Sequence, residues 1–506
     1  MKKPRVRAVL ATIVGLAGCG GRSVTSAPTP SGDLPPGLDA IREEDMRQDL
    51  YALAGDHFRG REAGTLDELK ASAWLAERDR QAELEPAGDD GTYFQFWSLA
   101  RVRLSTGSSI AVGSTRFPLG SDAVVISLKT AIVDAPIVQG GDGRSLSAAD
   151  VAGKAVVVQI TKPAASFAPD VSLRATRYAL AAISERAAAI APLGPAAIIM
   201  VSDAVADSGW GFVSTWFRNG SFGLEYGASF LGPAPAVPVI WLHQSALSGL
   251  QASNQRLSAT LLFEQFLYPS VNVIARVQGT DPVLNKEYVL FSAHQDHDGI
   301  KPPVAGDSIW NGADDNGSTS VGILGIGRAF VKHPAKRSAL FVWHGAEEKG
   351  LLGSRYHALH PVVPKQSIVA VINADMIGSN HPDSAALLGV QPPHRNSADL
   401  VAMAYRANAL VSKFVVDTLW DRPSHAEGWY FRSDHVPYAQ QGIPALYFSS
   451  LPHPLYHTPK DEPDKINYSK LTRIAKWMYA TGWFAANARD RVKLDPGLKT
   501  QADSPR

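Results

Sequence analysis

"EYVLFSAHQDHDG", residues 287–299, decides how the fold is read. Tyr288, Val289, Leu290 and Phe291 form an unbroken apolar run, and it passes straight into His294, Gln295 and Asp296. An apolar run without polar alternation marks a strand buried on both faces, as in a sheet whose strands are joined by helices. Working outward, strand and helix patterns alternate. "NGSTSVGILGIGRAFVKH" (316–333) has helical spacing, and "SALFVWHGAEE" (338–348) reads as a strand ending on Glu347 and Glu348. "GLLGSRYHALH" (350–360) is a helix, "IVAVINADM" (368–376) a strand, 397–411 a helix, "PALYFSS" (444–450) a strand and 467–488 a closing helix. The expected fold class is therefore α/β, with a mixed, mostly parallel central sheet covered by helices on both faces.

Upstream, "DAIREEDMRQDLYALAGDHF" (39–58) and "TLDELKASAWLAERDRQAEL" (65–84) have helical spacing, the second behind a Thr cap. Residues 37–120 are taken with 263–490 as one domain. Between them, 121–262 is a β-rich insert of short Val/Ile/Ala strands such as "GKAVVVQI" (153–160), "PAAIIMVSD" (195–203) and "VPVIWL" (237–242), with an Ala-rich helix near 174–191. The insert offers no cluster of His, Asp and Glu. Its Gly- and aromatic-rich stretch 208–227 is either a lid or an ordinary surface loop. Residues 491–506 are a polar tail.

Lys2, Lys3, Arg5 and Arg7 precede an apolar segment, Ala8–Ala17, of signal-peptide length. It ends beside Cys19, the only cysteine, so no internal disulfide is possible. Residues 1–18 read as a signal peptide and 19–36, rich in Gly, Ser and Pro, as a flexible tether. The balance of 49 basic against 48 acidic residues gives a net charge of +1 and no case for nucleic-acid binding.

In open α/β sheets ligands bind at the carboxyl ends of strands. His294, Asp296, Glu347, Glu348 and Asp375 fall there. Asp314 and Asp315 lie in the Gly-rich "NGADDNGS" (311–318), and His457 in "YHTPKDEPDK" (456–465). Each has a plain structural explanation, since Asp and Asn cap helices and Glu pairs line solvated edges. Together they bring carboxylates and imidazoles to one rim. That mixture of hard oxygens and imidazole nitrogens suits zinc better than manganese or cobalt. Nothing suits a serine hydrolase, because no G-x-S-x-G occurs, and no H-E-x-x-H is present. "GILGIGRAF" (322–330) lacks the last glycine of a dinucleotide fingerprint and reads as helix packing.

"SAHQDHDG", "NGADDNGS", "GAEEKGLLGS", "NADMIG", "SDHVPYAQQGIPAL" and "YHTPKDEP" follow one another in the order found in zinc aminopeptidases of metallopeptidase clan MH. The chain resembles that group, which includes bacterial leucyl aminopeptidases, aminopeptidase Y and glutamate carboxypeptidase, over about 37–120 and 263–490. The insert is similar to the protease-associated domain found at that position in many members. The resemblance implies two zinc ions per chain, one held by His294, Asp314 and Asp375 and the other by Asp314, Glu348 and His457. Asp314 would then bridge, and a cis bond would follow it, between Asp314 and Asp315. It further implies Asp296 as the carboxylate orienting His294, Glu347 as general base and Tyr430 as support for the oxyanion. His297, Asp298, Asp315, His344, His357 and His360 receive no role.

The implied activity is hydrolysis of the N-terminal peptide bond of peptides through a metal-bridging hydroxide. Three alternatives share the fold: a glutaminyl cyclase-like acyltransferase, a carboxypeptidase for acidic C-termini, and a receptor-like binding module without working metal. Leu16-Ala17-Gly18-Cys19 resembles a bacterial lipoprotein signal. It implies export and lipid anchoring through Cys19, at the outer membrane or the periplasmic face. Side-chain preference and oligomeric state are not readable.

Overall fold

The computed structural model describes residues 34–497 apart from 127–129, 164–173, 212, 214–219, 225–236, 252–253 and 426. The signal-peptide reading, Cys19 and most of the tether therefore lie outside the described residues, as does much of 208–227. No described helix is long and apolar enough to cross a membrane.

The strand read first, Tyr288–His294, lies inside a ten-stranded sheet. Its side chains alternate between two cores. Val289, Phe291 and Ala293 join the larger one, which the helices Glu43–Leu53, Thr319–Lys332 and Tyr468–Asn487 cover. Tyr288 and Leu290 join the smaller one on the other face, against Tyr438 and Ala358. Burial on both faces is why the sequence shows no polar alternation. Phe291 stacks on Phe341 with centroids 5.5 Å apart, and burying each such ring contributes roughly 1.5–3 kcal/mol. Gly482 makes room for it, since a Cβ there would lie 2.2 Å from Phe291 Cζ. Gly327, inside "GILGIGRAF", likewise faces Leu84 at 2.8 Å.

Parallel pairs lie at the centre of this sheet and again at one edge, where Ser384–Leu388 pairs with Val415–Asp417. Ser338–His344, Tyr288–His294, Ile368–Asp375 and Ala445–Ser449 run parallel in that order. On one side Phe263–Val277, Phe94–Leu104 and Ser221–Gly223 follow as antiparallel neighbours. On the other, Ser384–Leu388 is antiparallel to Ala445–Ser449. The sheet is mixed as expected, but parallel pairs do not dominate it. Parallel neighbours need crossover helices, and the long pair 94–104 and 263–277 is joined through the insert instead.

A second, eight-stranded sheet takes in Ser109–Val112 and Thr115–Arg116, ahead of residue 121 where the sequence reading starts the insert. Four of its strands, Ala131–Gln139, Ala155–Gln159, Ala197–Val201 and Val239–Leu242, run parallel. The Ala-rich helix Arg174–Ile190 packs on one face. Ser221–Gly223, within the candidate lid, leaves this sheet to pair with Phe94–Leu104 at the edge of the main one.

Candidate metal centre

The parallel strands end level with one another. His294 is in register with His344, and His294 and Asp375 are the last residues of their strands. The next strand stops at His344, so Glu347 and Glu348 sit in the turn beyond it and not at its end. Two local features make that turn. Gly345 admits no side chain, because a Cβ would lie 2.5 Å from Glu68 Oε1, and Ala346 is left-handed at φ 54°. The Asp296 carboxylate then accepts the N–H groups of Glu347 at 3.0 Å and Glu348 at 3.3 Å. Adjacent side chains that would diverge on a strand thus both reach the rim.

Asp315 carries the centre of the cluster. Its Oδ1 lies 3.2 Å from His294 Nε2 and its Oδ2 3.1 Å from His457 Nε2. Asp375 Oδ1 is 3.4 Å from His294 Nε2, and Glu348 Oε2 is 3.3 Å from His457 Nε2. Two triplets result: His294, Asp315 and Asp375, and Asp315, Glu348 and His457. Donor atoms within 4.8 Å of one another also group as His294, Glu347 and Asp375, as His294, Asp315 and Glu348, and as Asp298, Glu348 and His457. Glu347 Oε2 stands farther off, 3.8 Å from His294 Nε2. Asp298 Oδ2 faces the other nitrogen of His457, Nδ1, at 3.1 Å, and pairs with Lys301.

Asp314, assigned the shared position, does not face the two imidazoles; Asp315 does. The Asp314 carboxylate points away, with Oδ1 accepting from Gly378 N at 2.7 Å and Oδ2 3.4 Å from His453 Nε2. Extended backbone at Asp315 (φ −100°, ψ 98°) separates the two neighbouring side chains. The cis bond lies between Asp315 and Asn316, one residue later than expected. Asp461 fixes this turn by accepting the N–H groups of Asp314 and Asp315.

Other assigned roles move as well. The Nδ1 of His294 meets the backbone oxygen of Asp296 at 3.1 Å, while the Asp296 carboxylate is 3.8 Å away. The main chain orients this ring, and the carboxylate holds the Glu347–Glu348 turn. Tyr430, assigned to the oxyanion, stacks on His394 at 4.2 Å, and burial, with the Asp421 charge adding, raises its hydroxyl above the usual range. The tyrosine beside the cluster is Tyr456, 4.1 Å from the His457 ring, whose hydroxyl accepts from Arg432 at 3.1 Å. Sequence reasoning gave it no role. It also passed over His297, whose Nδ1 is 2.8 Å from Glu348 Oε1, and Asp298, a carboxylate orienting His457. His344 and His357 lie buried behind the site, sharing the Tyr438 hydroxyl. Trp343 is core, donating to Ser320 O.

Burial raises Asp375 to about 6, with His294 opposing and Asp315 adding. Asp315 is held below the ordinary range, because His294 and His457 outweigh burial and the Glu348 charge. Glu347 is pushed well above it by burial, against His294, with Glu348, Asp375 and Asp434 adding. Buried atoms that face one another without bonding test whether a metal fits. His294 Nε2 and Asp375 Oδ1 are buried and find no hydrogen-bond partner. A zinc tetrahedron with arms of roughly 2.0–2.1 Å has edges of about 3.3–3.4 Å, which matches the spacings above. The donor set fits zinc.

Residues 272–482 match the model of Peptidase family M28. A probable leucine aminopeptidase of Arthroderma otae is 28% identical over 229 residues, covering 42% of this chain and 55% of the relative. Aminopeptidase YwaD of Bacillus subtilis is 27% identical over 250 residues, covering 48% and 51%. The chain thus spans little more than half the length of these relatives. Among solved structures, the aminopeptidase from Aneurinibacillus sp. strain AM-1 superposes with a TM-score of 0.57 at 18% identity, over 92% of this chain and 98% of that one. The zinc aminopeptidase BSAP from Bacillus subtilis gives 0.56 at 19%, over 92% and 98%. These two share the fold.

Proposed function

We propose that this chain, whose residues 272–482 fall in Peptidase family M28, is a zinc-dependent aminopeptidase with two metal positions. The observation that carries the reading is Asp315, whose two oxygens face two imidazoles from opposite sides. His294, Asp315 and Asp375 would hold one ion, and Asp315, Glu348 and His457 the other. Zinc, when bound there, supplies Lewis acidity that polarises a scissile carbonyl and acidifies the attacking water. Glu347 stands beside the triplets without completing either. Its carboxylate takes the proton of the attacking water and passes it to the leaving amine. Asp296 keeps Glu347 and Glu348 at the rim through their N–H groups, and Asp298 fixes the tautomer of His457.

Carboxylates dominate the side chains around the site. Asp298, Asp315, Glu347, Glu348 and Asp375 converge there, while the nearby Lys349 and Lys301 are paired with Glu62 and Asp298. Three of these carboxylates are given to the two metal positions, so the choice of an N-terminal substrate rests on the relatives. Names borne by the relatives, leucine aminopeptidase and zinc aminopeptidase, agree with that choice. The test is a panel of amino-acid amides offered to zinc-loaded protein beside their N-acetylated forms. Free-amine substrates should be cleaved, acetylated ones should not, and a chelator should stop the reaction until zinc is returned. Equal cleavage of both forms would overturn the aminopeptidase assignment.

We also propose that Cys19 is cleaved at its N-side and lipidated, so that the enzyme is membrane-anchored. The motif Leu16-Ala17-Gly18-Cys19 after a basic, then apolar, stretch supports it. Wild type should fractionate with membranes, and Cys19→Ser should appear as soluble or unprocessed protein. Identical soluble fractionation of the two would sink the proposal.

A further inference from the structure

Arg61 lies outside the residues that match the family model, in the segment "FRGREAG" (58–64). It is 1% exposed, and its guanidinium donates to main-chain carbonyls alone. Nε donates to Gln295 O at 2.7 Å, Nη1 to Asn311 O at 2.6 Å and Leu53 O at 3.0 Å, and Nη2 to Gly312 O at 2.9 Å. Gln295 directly follows His294. Asn311 and Gly312 lead into the turn that carries Asp315. One side chain therefore joins the strand end that carries His294 to the turn that carries Asp315.

The backbone around it is equally committed. Gly60 is left-handed at φ 73°, and a Cβ there would lie 2.4 Å from Trp310 O. Arg61 itself has φ 51°, a conformation that L-residues adopt at a cost and keep only where the surroundings enforce it. Its carbonyl accepts from His297 N at 3.3 Å, and the Gly60 carbonyl from Gly299 N at 3.1 Å. Asn311 returns the tie, donating through Nδ2 to Ala54 O and Asp56 Oδ1. Only a planar fork with five N–H groups can serve four carbonyls at fixed angles, and an ammonium cannot. Burial draws Arg61 down to about 10, with Asp296, Asp461, Asp315 and Glu348 opposing, so it remains a cation beside the carboxylates.

We propose that Arg61 is a positioning residue that ties the His294 strand end to the Asp315 turn and so sets the spacing of the metal ligands. The inference rests on the zinc reading above. It makes the N-terminal segment a working part of a centre whose ligands all come from elsewhere in the chain. A buried arginine of similar burial provides the control. Arg337 is 2% exposed and donates to Glu287, Ala485 O and Ala488 O, before the amino end of the strand Ser338–His344.

Metal-free wild type, Arg61→Met, Arg61→Lys and Arg337→Met are compared by thermal unfolding and by calorimetric titration with zinc alone. Arg61→Met and Arg337→Met should both unfold at lower temperature than wild type. Only Arg61→Met should also bind zinc more weakly, by about 10–100-fold, the scale on which partners behind metal ligands act. Arg61→Lys keeps the charge but not the fork, and should unfold between Arg61→Met and wild type while binding zinc about 10-fold more weakly. That variant decides the matter if Arg61→Met does not fold. Wild-type zinc affinity in Arg61→Lys, or an equal loss of affinity in Arg337→Met, would overturn the tie while leaving the zinc reading intact. Failure of the wild type to take up zinc would overturn both.

Discussion

Asp315→Ala is expected to empty both metal positions and abolish hydrolysis, while Asp314→Ala keeps its zinc. The two residues are adjacent and both buried, so the contrast tests geometry and not chemical type. Asp315 offers one oxygen to each imidazole side, at 3.2 and 3.1 Å. Removing it deletes a ligand from each triplet at once. The fall in zinc affinity should therefore go well beyond the roughly 10–100-fold seen when a partner behind a ligand is lost. Asp375→Ala removes a ligand from one triplet only and should leave about half the zinc. Asp314→Ala instead leaves Gly378 N–H without its acceptor, which costs about 1–3 kcal/mol of stability and should appear as a lower unfolding temperature. Elemental analysis of zinc per chain after dialysis reads all three. Wild-type zinc content in Asp315→Ala, or loss of both ions in Asp314→Ala, would return the bridge to Asp314.

That the bridge was misplaced by one residue shows where sequence reasoning stops. The central strands were legible because burial on both faces leaves an unbroken apolar run, as in Tyr288–Phe291. The strand ends were legible because the polar residues begin where those runs end. His294, Glu347, Glu348, Asp375 and His457 are brought together in the structure as the motif order suggested. Within "DDNGS", however, both aspartates have the same chemistry, and only the backbone path past Gly312 decides which faces the histidines. A Cβ at Gly312 would lie 2.3 Å from both Asp315 O and His297 Cγ, a contact no local pattern reveals. The tyrosines are hard to place from sequence for a related reason. Tyr430 sits near the "SDH" motif in sequence, but its ring is taken up by His394, whereas Tyr456 is carried to the rim by the His457 loop. Arg61 could not be found at all, because its partners are main-chain carbonyls, most of them far away in the chain, which leave no mark in residue type. The second sheet looked merely β-rich because its parallel strands are short, although a helix covers one face.

Glu347 and Glu348 share a turn and a residue type, yet they should fail differently. Glu348 Oε2 faces His457 at 3.3 Å and its Oε1 faces His297 at 2.8 Å. Glu348→Gln removes an anionic donor from the second triplet and should lower zinc content together with activity. Glu347 completes neither triplet, and its backbone is held by Asp296 whatever its side chain. Glu347→Gln keeps size and shape but cannot accept a proton. It should bind zinc and substrate almost normally and lose kcat by about 10²–10⁴-fold, the usual contribution of a general base. KM should change little, because the lost interaction belongs to the transition state. The carboxyl is well suited to this work, since burial and the neighbouring carboxylates raise its proton affinity against the pull of His294, so a proton taken from water is held long enough to be handed on. The measurement is kcat and KM on an amino-acid amide alongside zinc per chain for both variants. Full zinc with near wild-type kcat in Glu347→Gln would mean that another group takes the proton. The nearest candidate is then Asp434, a buried carboxyl pushed up to about 7 by burial, and Asp434→Asn should show the loss in its place.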